Sequence, residues 1–255
     1  MKHKHKVSKE VKSDADKLVD NSAKEKVSRI VSGIRAYFRQ ANFSKAVIGL
    51  SGGIDSAVSC KLAVLALGKE NVTAVLMPEV GLTKEENVHD AREFAESLDI
   101  KYILQPINKM LVSYDLNVPI NELAKANLKA RIRANILYSY ANTFNALVIG
   151  TGNKTEAIVG YGTKHGDLAC DIFVICDLYK KEVYELARFL KIPEPIIKKV
   201  PTAELKEGQT YEKELGISYE ELDKQLLSCK YSKPIAERIK KNQHKRVYPF
   251  VVKAD

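Results

Sequence analysis

Between Leu18 and Phe38 apolar residues recur at helical spacing, at Val27, Ile30, Val31, Ile34 and Phe38, which predicts an amphipathic helix. Beyond it the pattern changes to short, nearly unbroken apolar runs at 46–50, 72–77, 101–105, 146–150 and 172–176. Each reads as a strand. Helical stretches fall between them: one running from the Ser/Gly loop after 46–50 to Leu67 and closed by Gly68, one at 83–98, and a long one at 119–144. The long segment carries Leu123, Leu128, Ile132 and Ile136 on related faces. Further helices are expected at 180–190, 194–199, 218–228 and 232–243. Thr83, with Glu86 three residues on, predicts a capping box at the start of the 83–98 helix.

Strands that are continuously apolar, rather than alternating, are buried on both faces. With helices between them they predict an α/β fold: a doubly wound, five-stranded parallel sheet with helices on both faces. Ligands of such sheets bind at the carboxyl ends of the strands, so functional residues are expected just after Leu50, Met77, Gly150 and Cys176. Residues 1–14 offer no apolar period and read as a flexible tail in which His3 and His5 alternate with lysines. Residues 15–255 read as a single domain.

Composition narrows the classes. The 255 residues are 45% hydrophobic and 29% charged, with no run near the length a membrane span requires. The N-terminus lacks the apolar segment of a secretory signal, which predicts a cytoplasmic protein without membrane partners. Four scattered cysteines without a C-x-x-C pair predict neither a disulfide framework nor a zinc site. The net charge is +9, but no arginine-rich run or interleaved aromatic platform accompanies it, so no nucleic-acid partner is expected. A basic surface also suits a site that handles several phosphates.

The chemistry begins at Gly49-Leu50-Ser51-Gly52-Gly53-Ile54-Asp55-Ser56, where a strand runs into a helix. Glycines let successive N–H groups point at one centre, and the helix N-terminus adds partial positive charge, so the turn suits anions. It lacks the lysine of a Walker loop. Asp55 inside an anion pocket makes sense once a cation joins it, which makes it a Mg2+ ligand candidate. The segment resembles the pyrophosphatase loop of the ATP-pyrophosphatase superfamily, whose members split ATP into AMP and pyrophosphate. That resemblance implies an adenine nucleotide α-hydrolase-like, Rossmann-like fold.

Further strings follow in order: Asn127-Leu-Lys-Ala-Arg-Ile-Arg133, Gly150-Thr-Gly-Asn-Lys-Thr-Glu-Ala157, Gly160-Tyr-Gly-Thr-Lys-His-Gly-Asp167, Pro201-Thr-Ala-Glu-Leu205, Glu214-Leu-Gly-Ile-Ser-Tyr219 and His244-Lys-Arg246. Together with the loop they resemble the ammonia-dependent NAD synthetases over about 200 residues. The resemblance implies that ATP adenylates the nicotinate carboxylate of deamido-NAD and that ammonia displaces AMP. It implies that residues 49–56, Thr151, Lys180 and Thr202 bind ATP, with Asp55 and Lys180 catalytic. Asp55 and Glu156 would hold Mg2+, and Arg131, Lys164, Asp171, His244 and Lys245 would hold deamido-NAD. It also implies a homodimer, and residues 203–217 read as a flap over the site.

Four places depart from the usual pattern. Gly162 replaces an aromatic residue, His165 a tyrosine, Leu168-Ala169 two glycines, and Tyr211-Glu212 an acidic pair. None of the cysteines sits in an amidase constellation, so free ammonia is the expected nitrogen source. Two other readings remain at this level: another pyrophosphatase-loop enzyme such as a tRNA-modifying synthetase, and a non-catalytic nucleotide-binding regulator. The net charge favours the first, and the paired acids Asp55 and Glu156 speak against the second.

Overall fold

The computed structural model describes residues 14–202, 204–206, 208–247 and 249–254, with side chains from residue 21 onward. Chain order is α1 (Asp14–Gln40), β1 (Lys45–Gly49), α2 (Ile54–Leu67), β2 (Val72–Leu76), α3 (Glu85–Ser97), β3 (Lys101–Leu104), α4 (Asn108–Ser113) and α5 (Glu122–Phe144). There follow β4 (Ala146–Gly150), α6 (Lys154–Val159), β5 (Ile172–Phe173), α7 (Lys180–Phe189), α8 (Glu194–Lys198), α9 (Tyr211–Leu215), α10 (Tyr219–Ser228) and α11 (Lys233–Lys241). Apart from Asp14, which opens α1, the tail expected over 1–14 lies outside the described residues, His3 and His5 included.

The five strands form one all-parallel sheet in the order β3-β2-β1-β4-β5. Alternate strand residues face opposite layers. Ala46, Ile48, Ala74, Leu76 and Ile149 pack under α1, α2, α3 and α7, where Ile34, Phe38, Leu62, Phe94 and Leu186 meet them. Val47, Val75 and Val148 face α4 and α5, against Ile107, Ile132 and Ile136. Two buried faces are why these strands read as continuous apolar runs. A third, smaller cluster joins α6, α10 and α11 through Val159, Leu222, Leu226 and Ile235. Truncating Leu62, fully buried in the larger layer, to alanine would cost about 2–5 kcal/mol.

The sheet winds outward from β1 in both directions, so the strand order reverses between β1 and β4. Their carboxyl ends open a crevice there.

Three local expectations change. The fifth strand is expected over 172–176 but pairs only at Ile172 and Phe173, because the sole neighbouring strand, β4, ends at Gly150, opposite Phe173. Thr83 does not cap α3: its hydroxyl accepts the Glu79 N–H at 3.0 Å, and Lys84 occupies the cap position without a side-chain bond. The long helix starts at Glu122, where the Asn121 side chain accepts the Ala124 N–H at 2.9 Å. The short helices α4 and α9 lie where the apolar pattern predicts no element.

Candidate active site

The turn after β1 is built for close approach. The Leu50 N–H still donates to Val75 O at 3.0 Å, so strand pairing holds up to the turn. Gly52 has φ of +80°, and a Cβ there would collide with the Asn87 carbonyl oxygen. Only glycine fits without strain. Gly53 is the N-cap of α2 and brings no side-chain acceptor, which leaves first-turn N–H groups to a ligand. The serines knit the loop: Ser56 Oγ donates to Gly53 O at 2.9 Å, while Ser51 Oγ accepts the Gly53 N–H at 3.3 Å. Leu50 and Ile54 are buried in the core, so they hold the loop from below.

The turn after β4 supplies the second half. Asn153 caps α6 reciprocally: its Oδ1 accepts the Glu156 N–H at 3.0 Å, and Glu156 Oε2 accepts the Asn153 N–H at 3.3 Å. Its Nδ2 donates to Asp55 Oδ1 at 3.0 Å. One buried asparagine therefore touches both acids that the sequence singles out. The Lys180 ammonium, from the first residue of α7, pairs with the other oxygen of Asp55 while only 1% exposed. Burial opposes its charge, yet Asp55 foremost holds it above the ordinary lysine range. The ammonium also lies 5.1 Å from the Tyr219 ring centre, and the Tyr219 hydroxyl donates to Glu156 Oε1 at 3.3 Å.

Burial, and then the Asp55 charge, push Glu156 up to about 8. A divalent cation relieves such a pair by replacing the proton, and two carboxylates are hard oxygen donors suited to Mg2+. Among the described residues no three His, Cys, Asp or Glu side chains converge on one point, so phosphate and water oxygens would complete the shell. The apo protein should show the strain. Unfolded, Glu156 loses its proton near pH 4.5; folded, it keeps it to about pH 8. Between these values the folded chain holds more protons, so this group's contribution to stability falls as pH rises. Glu156→Gln is expected to flatten that part of the pH dependence of apo melting and to raise the melting temperature at pH 8. An unchanged pH profile would contradict it.

Around the acids lies a cavity of about 980 Å3 whose wall includes Ser51, Asp55, Thr151, Glu156, Thr202, Lys164 and Lys245. The expected ATP-side residues Thr151 and Thr202 thus face the same space as the loop. Gly49 and Leu50 line an adjoining cavity of about 430 Å3 together with Met77 and Arg133. The residues expected to hold the second substrate are less uniform. Lys164 and Lys245 reach the cavity, with Lys245 Nζ donating to Gly160 O at 3.1 Å and Gly162 O at 2.9 Å. Arg131 and His244 are exposed beside it, both tied to Lys164: Arg131 Nε donates to Lys164 O at 3.4 Å, and Lys164 Nζ to His244 O at 2.9 Å. Asp171 sits apart, its carboxylate accepting the Val148 N–H at 2.7 Å in the middle of β4.

The departures cluster here. A Cβ at Gly162 would meet Leu168 Cδ2 at 2.7 Å, so the Leu168 side chain occupies the space that a larger residue 162 would need. The Tyr211 ring lies tilted against Tyr161 and Tyr219, with ring centres 4.6 Å and 6.0 Å away. The expected flap is docked: Asn87 Nδ2 donates to Glu204 Oε1 at 2.6 Å, and the buried Lys129 donates to Leu205 O at 3.0 Å. Asn153, Lys129 and Asp223 lie outside the set of site residues expected from the sequence. Asn153 was within reach, since Asn-x-x-Glu before a helix is a capping pattern.

An anion-binding turn, two acids and a buried lysine at the switch point of a parallel sheet define a nucleotide-binding α/β enzyme site. Comparison with known proteins is specific. The NAD synthase family profile matches residues 26–249. The NH3-dependent NAD+ synthetase of Methanocaldococcus jannaschii is 45% identical, over 91% of this chain and 98% of the relative. An NMN synthetase structure from Francisella tularensis superposes with a TM-score of 0.84 at 35% identity, covering 90% of this chain and 98% of that one. The NH3-dependent NAD synthetase of Campylobacter jejuni superposes at 0.74 with 34% identity, covering 91% and 99%. The chain belongs to the NAD synthase family, whose members here are amidating ligases of NAD biosynthesis.

Proposed function

We propose that this chain converts deamido-NAD, ATP and ammonia into NAD, AMP and pyrophosphate. A nicotinate carboxylate oxygen attacks the α-phosphorus, and pyrophosphate leaves. Ammonia then adds to the acyl carbon of the adenylate, loses a proton, and AMP departs with the former carboxylate oxygen. The observation that carries this reading is Asp55, held between Asn153 and Lys180 at the mouth of the phosphate loop.

The α2 N-terminus and residues 49–56 cradle the departing pyrophosphate, with Thr151 and Thr202 on the ATP side. Lys180 neutralises charge that builds on the α-phosphate, the kind of preorganised stabilisation that dominates such steps. Asp55 and Glu156 would hold Mg2+, which supplies charge neutralisation at the phosphates. Lys164, Lys245, Arg131 and His244 form a basic rim that suits the pyrophosphate bridge of deamido-NAD, while Asp171 is engaged by the Val148 N–H of β4. The test is an assay with Mg2+ and ammonium, in which NAD and AMP should appear one for one. ADP formation, or ATP splitting without an acceptor requirement, would overturn the reading. The same assay should be run with nicotinate mononucleotide, because Leu168 fills part of the acceptor side and the Francisella relative is named for the mononucleotide product.

The working unit we propose is a homodimer. Val112, Val118 and Leu123, on the segment from α4 into α5, are 84%, 71% and 72% exposed. Large apolar side chains left this exposed on one stretch of chain suit an association surface. Sedimentation should give twice the 28.5 kDa chain mass, and Leu123→Asp should shift it toward monomer. A wild-type monomer at micromolar concentration would contradict this. The protein is expected to work in the cytoplasm, and no described helix is long and apolar enough to cross a membrane.

A further inference from the structure

The string around Glu214–Tyr219 has no direct part in the mechanism above, yet it leads into a helix that reaches the reacting groups from behind. Tyr219 and Asp223 are four residues apart on α10 and share one face. We propose that this face of α10 positions Lys180 and Glu156 for catalysis, so that Tyr219 and Asp223 are positioning residues of the reaction. The inference rests on the reading of Lys180 and Glu156 just given.

Asp223 is only 4% exposed and both its oxygens are engaged. Oδ1 accepts the Thr155 hydroxyl at 2.5 Å, and Oδ2 accepts the Lys181 N–H at 3.0 Å. Thr155 Oγ1 in turn accepts the Lys180 N–H at 2.9 Å. The first two N–H groups of α7 have no partner within their own helix. Asp223 satisfies one directly and the other through Thr155, and its charge complements the helix N-terminus. The backbone from which Lys180 extends is therefore clamped between α6 and α10.

Tyr219 acts one turn earlier. Its hydroxyl donates to Glu156 Oε1 at 3.3 Å, and its ring lies 5.1 Å from the Lys180 ammonium. Neither Tyr219 nor Asp223 lines the cavity, so both act through other residues. The helix is held by Leu222 and Leu226 against Val159 and Ile235. Its start is tied to α9, because Glu212 Oε1 accepts the Tyr219 N–H at 3.0 Å. Docking of residues 208–216 is thereby linked to the placement of the catalytic lysine.

The test is steady-state kinetics with melting temperatures on four variants of the full chain. Asp223→Asn turns one acceptor into a donor and is expected to lower kcat by about 10- to 100-fold, since a 1 Å misplacement can cost that much. KM for ATP should stay within about twofold, because the phosphate loop is untouched. Tyr219→Phe keeps the ring and should lower kcat by about 3- to 10-fold with the same unchanged KM, and it covers the case in which Asp223→Asn fails to fold. Ile107→Ala, fully buried in the layer of α4 and α5 away from α6, α7 and α10, should lower the melting temperature but leave kcat at the wild-type value when assayed below melting. Wild-type kcat in Tyr219→Phe and Asp223→Asn, or an equal kcat loss in Ile107→Ala, would overturn the proposal while leaving the proposed reaction intact. Wild-type kcat in Lys180→Met would instead remove the catalytic reading on which it rests.

Discussion

Lys180→Met is expected to lower kcat by about a thousandfold while the protein still folds. Methionine keeps most of the lysine volume in a site that is almost closed to solvent, so the change removes charge rather than packing. What disappears is a cation fixed beside the α-phosphate position, and loss of one preorganised donor of this kind costs about 10²–10³ in rate. Asp55 also loses its ion-pair partner. Breaking a buried pair by deleting one side can cost about 3–5 kcal/mol, an upper figure here because Asp55 is partly open to solvent. Saturating Mg2+ and ATP should recover much of that stability but not the rate. Wild-type turnover would show that Lys180 is merely structural.

Gly52→Ala is the second large effect, and it acts through the backbone. The φ of +80° disfavours any side chain, and the new methyl group would run into the Asn87 carbonyl oxygen. That oxygen belongs to α3, which packs on the sheet through Ala91, Phe94 and Ala95 and cannot simply withdraw. The loop must deform instead. Strain at such a position costs about 1–3 kcal/mol before the clash is counted. Because Asn87 also bonds Glu204, the 204–206 segment should loosen with it. Calorimetry should show ATP binding weakened by at least about a hundredfold, alongside a lower melting temperature. Unchanged ATP affinity would mean that the loop does not cradle phosphate in the geometry described.

The fold was readable where burial dictated residue type. Four of the strands fall within a residue of their apolar runs because both faces are covered. The fifth run continues through Val174 and Ile175, which are buried without pairing, and hydrophobicity alone cannot distinguish those two conditions. The six-residue helix α4 is too short to display a period. Within the site, Asp55, Glu156 and Lys180 follow from the sequence and its family resemblance, and the structure brings them together. Their supports were harder to see. Asp223 lies 43 residues beyond Lys180 in the chain, and nothing local distinguishes it from the exposed acids of the same helix. Leu168 explains Gly162 only in three dimensions, since the space that one vacates is taken by the other.

The central claim is that this cleft splits ATP at the α-phosphate by joining AMP to the acceptor carboxylate. Deamido-NAD labelled with heavy oxygen in both carboxylate oxygens tests it most directly, with mass spectrometry of the AMP formed in a single turnover. One labelled oxygen should appear in the phosphate of each AMP, because the carboxylate oxygen that attacks phosphorus leaves with it. AMP free of label, formed in step with NAD, would contradict the account.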